Sequence, residues 1–163
     1  MTLQHALDLR ASGEHEKARA LLVRLAAETP GNGFVQYEAA CVHDNLGFES
    51  QAVPFYVAAL ATDLPAALRR GAYTGLGSTY RTLGLYREAQ ETLERGLKEF
   101  PEANEIRVFL AMTYYNRGES KSAVESLLKL LAGTTNDPEV KAYSQAIEFY
   151  AQDLDRSWPD GAA

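Results

Sequence analysis

Apolar positions recur along this chain at steps of three and four. Leu68, Ala72, Leu76, Tyr80 and Leu83 form one such series, and Ala89, Leu93, Leu97 and Phe100 form the next. A period near 3.6 puts each series on one face of an α-helix. Glu88, Glu91, Glu94, Arg95 and Lys98 fall on the opposite side of the second helix and read as a solvated face. No run of strict alternation bounded by turn residues competes, so the pattern predicts helices and no strands.

The same pattern returns at a fixed interval. Gly13, Gly47, Gly84 and Gly118 are spaced by 34, 37 and 34 residues, and Ala18, Ala52, Ala89 and Ala123 follow each of them five positions later. Pro30, Pro65 and Pro101 trail at the ends of the first three units. A glycine suits a helix C-cap, where a left-handed backbone disfavours any Cβ, and a proline cannot continue a helix interior. Each unit is therefore expected to be two helices joined at its glycine and lying antiparallel. The units run over 2–31, 32–65, 66–101 and 102–137. A capping helix over 138–155 then has Val140, Tyr143, Ile147, Tyr150 and Leu154 on one face, and 156–163 is a tail. Residues 1–155 are expected to form one domain. Small residues at Ala6, Ala40, Gly77 and Ala111 face the alanines of the second helices and allow close approach. Two irregularities stand out. The interval of 37 predicts a longer first helix in unit three, and Pro54 predicts a bend or a late start in the second helix of unit two.

These residues resemble the tetratricopeptide repeat family, of a small bacterial stand-alone type. The family pattern is W-x₂-L-G-x₂-Y, then A-x₃-F, then P. Unit three carries it best, with Tyr73, Leu76, Gly77, Tyr80, Ala89, Leu93 and Pro101. Units four, two and one follow with Ala111, Tyr114 and Ala123; Ala40, His43 and Ala52; and Ala6, Leu9 and Ala18. No unit has tryptophan at the first position, where Thr2, Gln36, Tyr73 and Arg107 stand, and His43 replaces a tyrosine. The resemblance implies an all-α fold, a right-handed α-α superhelix of about four helix pairs plus the C-terminal capping helix. A stack of this kind buries its apolar faces between neighbours.

Composition and charge narrow the function. The 163 residues carry a formal net charge of −6, which disfavours nucleic acid as a partner. No apolar stretch nears the ~20 residues of a membrane span, and no secretory leader is visible, so a cytoplasmic protein is expected. Cys41 is the single cysteine, which excludes an internal disulfide. It stands two residues from His43, so on a helix the two side chains point to different faces and form no paired metal site. With no basic neighbour in sequence, Cys41 reads as a small packing residue before it reads as a nucleophile. Gly71, Gly75 and Gly77 lack the Gly-Lys-Ser/Thr ending of a phosphate loop and suit close packing better. No cofactor, no metal and no enzymatic activity are expected.

What the resemblance implies instead is binding of a protein or peptide segment in the concave groove lined by the first helix of each unit. The residues expected to face it are Tyr37, Cys41 and Asp44 (with Asn45), Thr74, Ser78 and Arg81 (with Thr82), then Val108, Met112, Tyr115 and Asn116. Ala142 and Phe149 extend the set at the last helix. Tyr37, Met112 and Tyr115 supply anchors of the type favoured in binding hot spots, and Arg81 a planar donor for a carboxylate. Some family members clamp the carboxylate of chaperone tails with Lys and Asn. Here the matching places hold Leu3, Tyr37, Thr74 and Val108, with Leu7, Cys41 and Ser78 one turn on, so that clamp is absent. Two other readings stay open. The same residues suit plain packing of a tightly wound stack, and the groove or the last helix suits packing on another copy in a homo-oligomer. Residues 138–163 hold five acids and two bases, half of the net charge, and Trp158 there suits either packing on the last helix or self-association.

Overall fold

The repeated glycines determine the fold locally. In a computed structural model, which describes residues 2–157, Gly13, Gly47, Gly84 and Gly118 have φ of +81°, +76°, +75° and +81°, and no other described residue has positive φ. Each sits in the same turn. The N–H after the glycine donates to the carbonyl five residues back (Glu14 to Leu9, Phe48 to His43, Leu85 to Tyr80, Glu119 to Tyr114) at 2.8–2.9 Å. The glycine N–H itself donates three residues back, at 3.0–3.2 Å. This pair of bonds satisfies carbonyls that the helix end leaves open and turns the chain back on itself.

Ten helices follow one another among the described residues. They are α1 (Leu3–Ala11), α2 (His15–Glu28), α3 (Gly33–Asn45), α4 (Glu49–Leu60), α5 (Ala66–Thr82), α6 (Tyr86–Glu99), α7 (Asn104–Asn116), α8 (Ser120–Thr134), α9 (Pro138–Ala142) and α10 (Ser144–Ala151). No described residue is in a strand. Thr2 and Asn32 cap α1 and α3 by accepting from the backbone of His5 and Val35. Helix α5 has 17 residues against 13 in α3 and α7, so the longer interval does lengthen the first helix of unit three.

From α1 through to α8 each helix packs on the next, α10 packs on α8, and α5 also touches the first helices on either side of it, α3 and α7. The core is a seam divided into three clusters. Leu22 of α2 lies with Val35, Ala39 and Val42 of α3, and Tyr56 of α4 with Ala72 and Leu76 of α5. Leu93 of α6 lies with Ile106 and Leu110 of α7. Every cluster thus joins the second helix of one unit to the first helix of the following one. Within units, Ala6, Ala18, Ala40, Ala52, Ala89, Ala111 and Ala123 are all buried. A Cβ on Gly77 would run into Leu93, and one on Gly75 into Tyr56, so these glycines are required by close approach.

One local expectation is narrowed and another is corrected. Helix α4 starts at Glu49, anchored by the N–H groups of Gln51 and Ala52 on the Phe48 carbonyl, and runs through Pro54 without a late start. The proline ring is exposed, so the helix accommodates it at its surface. The segment expected as one capping helix is two, α9 and α10, divided at Tyr143. Asp137 caps α9, and beyond the break the Ser144 hydroxyl donates to the Ala132 carbonyl, drawing α10 against α8. Tyr143, Tyr150 and Leu154 are exposed; Ala151 is the residue of α10 that is buried. Trp158 lies outside the described residues.

Candidate functional site

The inner layer of α3, α5 and α7 carries all ten predicted groove residues. The structure divides them into two groups. Those on α3 are drawn into the junction between units two and three. Asp44 accepts from the Tyr56 hydroxyl at 2.7 Å and has the Thr79 hydroxyl at 2.9 and 3.0 Å from its two oxygens. It therefore ties α3 to α4 and α5. Burial holds its carboxyl above the ordinary range, and the bonds from Tyr56 and Thr79 pull the other way. Tyr37 is half-buried, edge-on to Tyr56 with ring centroids 6.3 Å apart. Its hydroxyl lies 2.6 Å from the position that a Cβ on Gly71 would take, a contact too close for any larger residue there unless the tyrosine shifts.

Cys41 lies beside them, with the Tyr56 hydroxyl 3.8 Å from its Sγ. Burial raises the thiol above its ordinary value, against the smaller opposing effect of bonds from Tyr56 and Tyr37. A thiol so placed is neutral at physiological pH and a poor nucleophile. His43 is fully inside. Its Nδ1 lies 2.6 Å from the Ala39 carbonyl and its ring stacks on Phe55 at 5.0 Å, which makes it a packing residue in the tyrosine position. Among the described residues, no three His, Cys, Asp or Glu side chains are grouped to hold a metal ion.

The residues on α5 and α7 remain available. Thr74 lines a concavity of about 510 Å³ with Ala67, Arg70, Gly71, Gly75 and Glu105, where Arg70 and Glu105 form an ion pair between the two helices. The pair holds the Arg70 guanidinium above its usual range and the Glu105 carboxyl below. Ser78 and Val108 are half-buried, while Met112, Tyr115 and Asn116 are exposed. Arg81 Nη1 donates to Asn116 Oδ1 at 3.3 Å, so two groove residues 35 positions apart meet. Arg81 Nε is buried and makes no hydrogen bond within the protein. Arg10, a cation toward the amino end, is taken by buried Glu38.

One set of residues was not anticipated in sequence. Leu127 and Leu131 of α8 are exposed, although their repeat mates sit in the seam, and Val124 is exposed beside them. The apolar face of 138–155 predicted a cap over these positions, and no sequence signal showed that it would pack along another edge of α8.

Helix pairs linked by glycine turns and stacked through a continuous seam define an α-helical repeat solenoid. The tetratrico peptide repeat family matches residues 33–154, three quarters of the chain. The chain belongs to that family. No curated protein matches it. The match includes α9 and α10 and begins at α3, after the first helix pair. Repeats of this family are modules for protein–protein interaction. No helix among the described residues is long and apolar enough to cross a membrane.

Proposed function

We propose that this chain is a non-enzymatic scaffold that holds a peptide or protein segment in the groove formed by α3, α5 and α7. The observation that carries this reading is the Arg81–Asn116 contact. Arg81 has a buried Nε without a hydrogen-bond partner in the protein, and exposed Met112 and Tyr115 lie on the neighbouring helix. A guanidinium beside apolar anchors favours a segment that offers a carboxylate beside an apolar or aromatic side chain. Thr74, Ser78 and Val108 form the groove wall. On the α3 side, Tyr37, Cys41 and Asp44 shape the surface, since their polar atoms are engaged within the fold.

The test is affinity capture with the wild type and with an Arg81→Glu, Tyr115→Ala double variant, both exposed or half-exposed positions that leave folding intact. Partners that bind in the groove are lost from the variant, whose helical circular dichroism is unchanged. Identical partner sets for the two proteins would overturn the assignment.

A further inference from the structure

Repeat equivalence exposes a vacancy at the C-terminal end. Leu22, Tyr56, Leu93 and Leu127 occupy the same position, four residues after the conserved-spacing alanine of each unit. The first three are 0%, 3% and 0% exposed, each covered by the first helix of the next unit, whereas Leu127 is 42% exposed. Leu131, one turn on, is 45% exposed. Helix α10 follows unit four but does not cover them. It runs antiparallel to α8 along another edge, marked by Ser144 on Ala132 at one end and Lys121 paired with Asp155 at the other.

At about 100° per residue, Val124, Leu127 and Leu131 fall within an arc of roughly 60°. That arc lies about a quarter-turn from the edge of α8 that meets α10. Tyr143 and Tyr150 lie a similar quarter-turn, in the same rotational sense, from the Ser144–Ala151 edge of α10. Because the helices are antiparallel, both sets point to the same side of the pair. The result is one apolar face. With Tyr143 67% and Tyr150 53% exposed, these five side chains present about 550 Å² per copy, as large as the largest patches on ordinary monomers.

We propose that this face binds a second copy of the chain, the α8–α10 face of one protomer packing on that of the other about a twofold axis. Size supports it. A standard interface takes ~800 Å² from each partner, a little over half of it apolar, and this face supplies apolar surface of that order. Head-to-tail stacking does not fit. The surface of α1 that would meet a preceding unit carries exposed His5 and Asp8, where the other first helices have buried Ala39 and Val42, Leu76 and Thr79, or Leu110 and Thr113. An isologous contact uses the open end twice and leaves the polar end in water. The proposal does not depend on occupation of the groove.

Sedimentation equilibrium of the full chain, up to about 100 µM, tests it. The wild type is expected at twice the monomer mass. Leu127→Glu and, separately, Tyr150→Glu are expected to weaken the dimer by roughly 30-fold or more without loss of helical signal. Arg81→Glu, in the groove, leaves it dimeric. A wild type monomeric throughout would overturn the proposal. So would a dimer that survives both α8–α10 variants, or one that Arg81→Glu alone dissolves. If deleting residues 158–163 turns a monomer into a dimer, the chain's own end is the occupant and the proposal fails as well.

Discussion

The two ends of this solenoid carry the same repeat and are finished differently. At the amino end the positions that would receive a preceding unit are polar, His5 and Asp8, so α1 meets water at little cost. At the carboxyl end the positions that would receive a following unit keep their interior character, Leu127 and Leu131, although the next helix lies elsewhere. Terminal repeats need a solvated outer face, and only one end of this stack has one within the chain. A repeat position is buried by its neighbour, not by its own apolarity.

Equivalent leucines give the sharpest way to break this comparison. Leu93→Ala is expected to cost about 2–5 kcal/mol, because Leu93 is fully buried between α6 and α7. Leu127→Ala in the monomer is expected to cost under ~1 kcal/mol, since much of the side chain already faces water. Urea unfolding at low protein concentration measures both; equal losses would show that the open end is covered in solution. A polar probe gives the next effect. Val42→Asp places a carboxylate in the seam at the position of Asp8 and is expected to lose at least about 2 kcal/mol. The reverse change, Asp8→Val, stays within about 0.5 kcal/mol in the same assay.

The turns should not distinguish the ends. Gly47→Ala and Gly118→Ala are each expected to cost about 1 kcal/mol, because both require positive φ. Unequal losses in thermal unfolding would show that the two turns carry different loads. The smallest effect belongs to the interior junction of units two and three. Asp44 is raised by burial, so the folded state binds its proton more readily than the unfolded state. Stability therefore falls as pH rises from the ordinary carboxylate range through the raised value. Asp44→Asn, which keeps an acceptor for Tyr56 and Thr79, is expected to remove that decline in urea midpoints taken across pH.

The repeat was legible because its signals are local. Glycine spacing marked four turns that share one hydrogen-bond pattern, and alanine spacing marked the close contacts inside units. The extra three residues correctly lengthened α5. The groove was legible as a layer, since helix periodicity tells which residues share a face. Its chemistry was not. Asp44 looked available for a ligand, yet it is bonded to Tyr56 and Thr79, 12 and 35 residues away. The apolar face of 138–155 read as one side of a single capping helix, yet the chain breaks at Tyr143 and buries Ala151 in preference to the tyrosines.

The sequence was enough for the helices of the four repeats, their turns and their pairing, all set by backbone preference and by contacts a few residues apart. Tertiary structure alone decided which equivalent residues are covered. It placed Asp44 in a junction, brought Arg81 to Asn116, and left Leu127 open where Leu93 is sealed. Burial depends on what arrives from the next unit, and four copies of one pattern cannot say whether a fifth surface lies against the last of them.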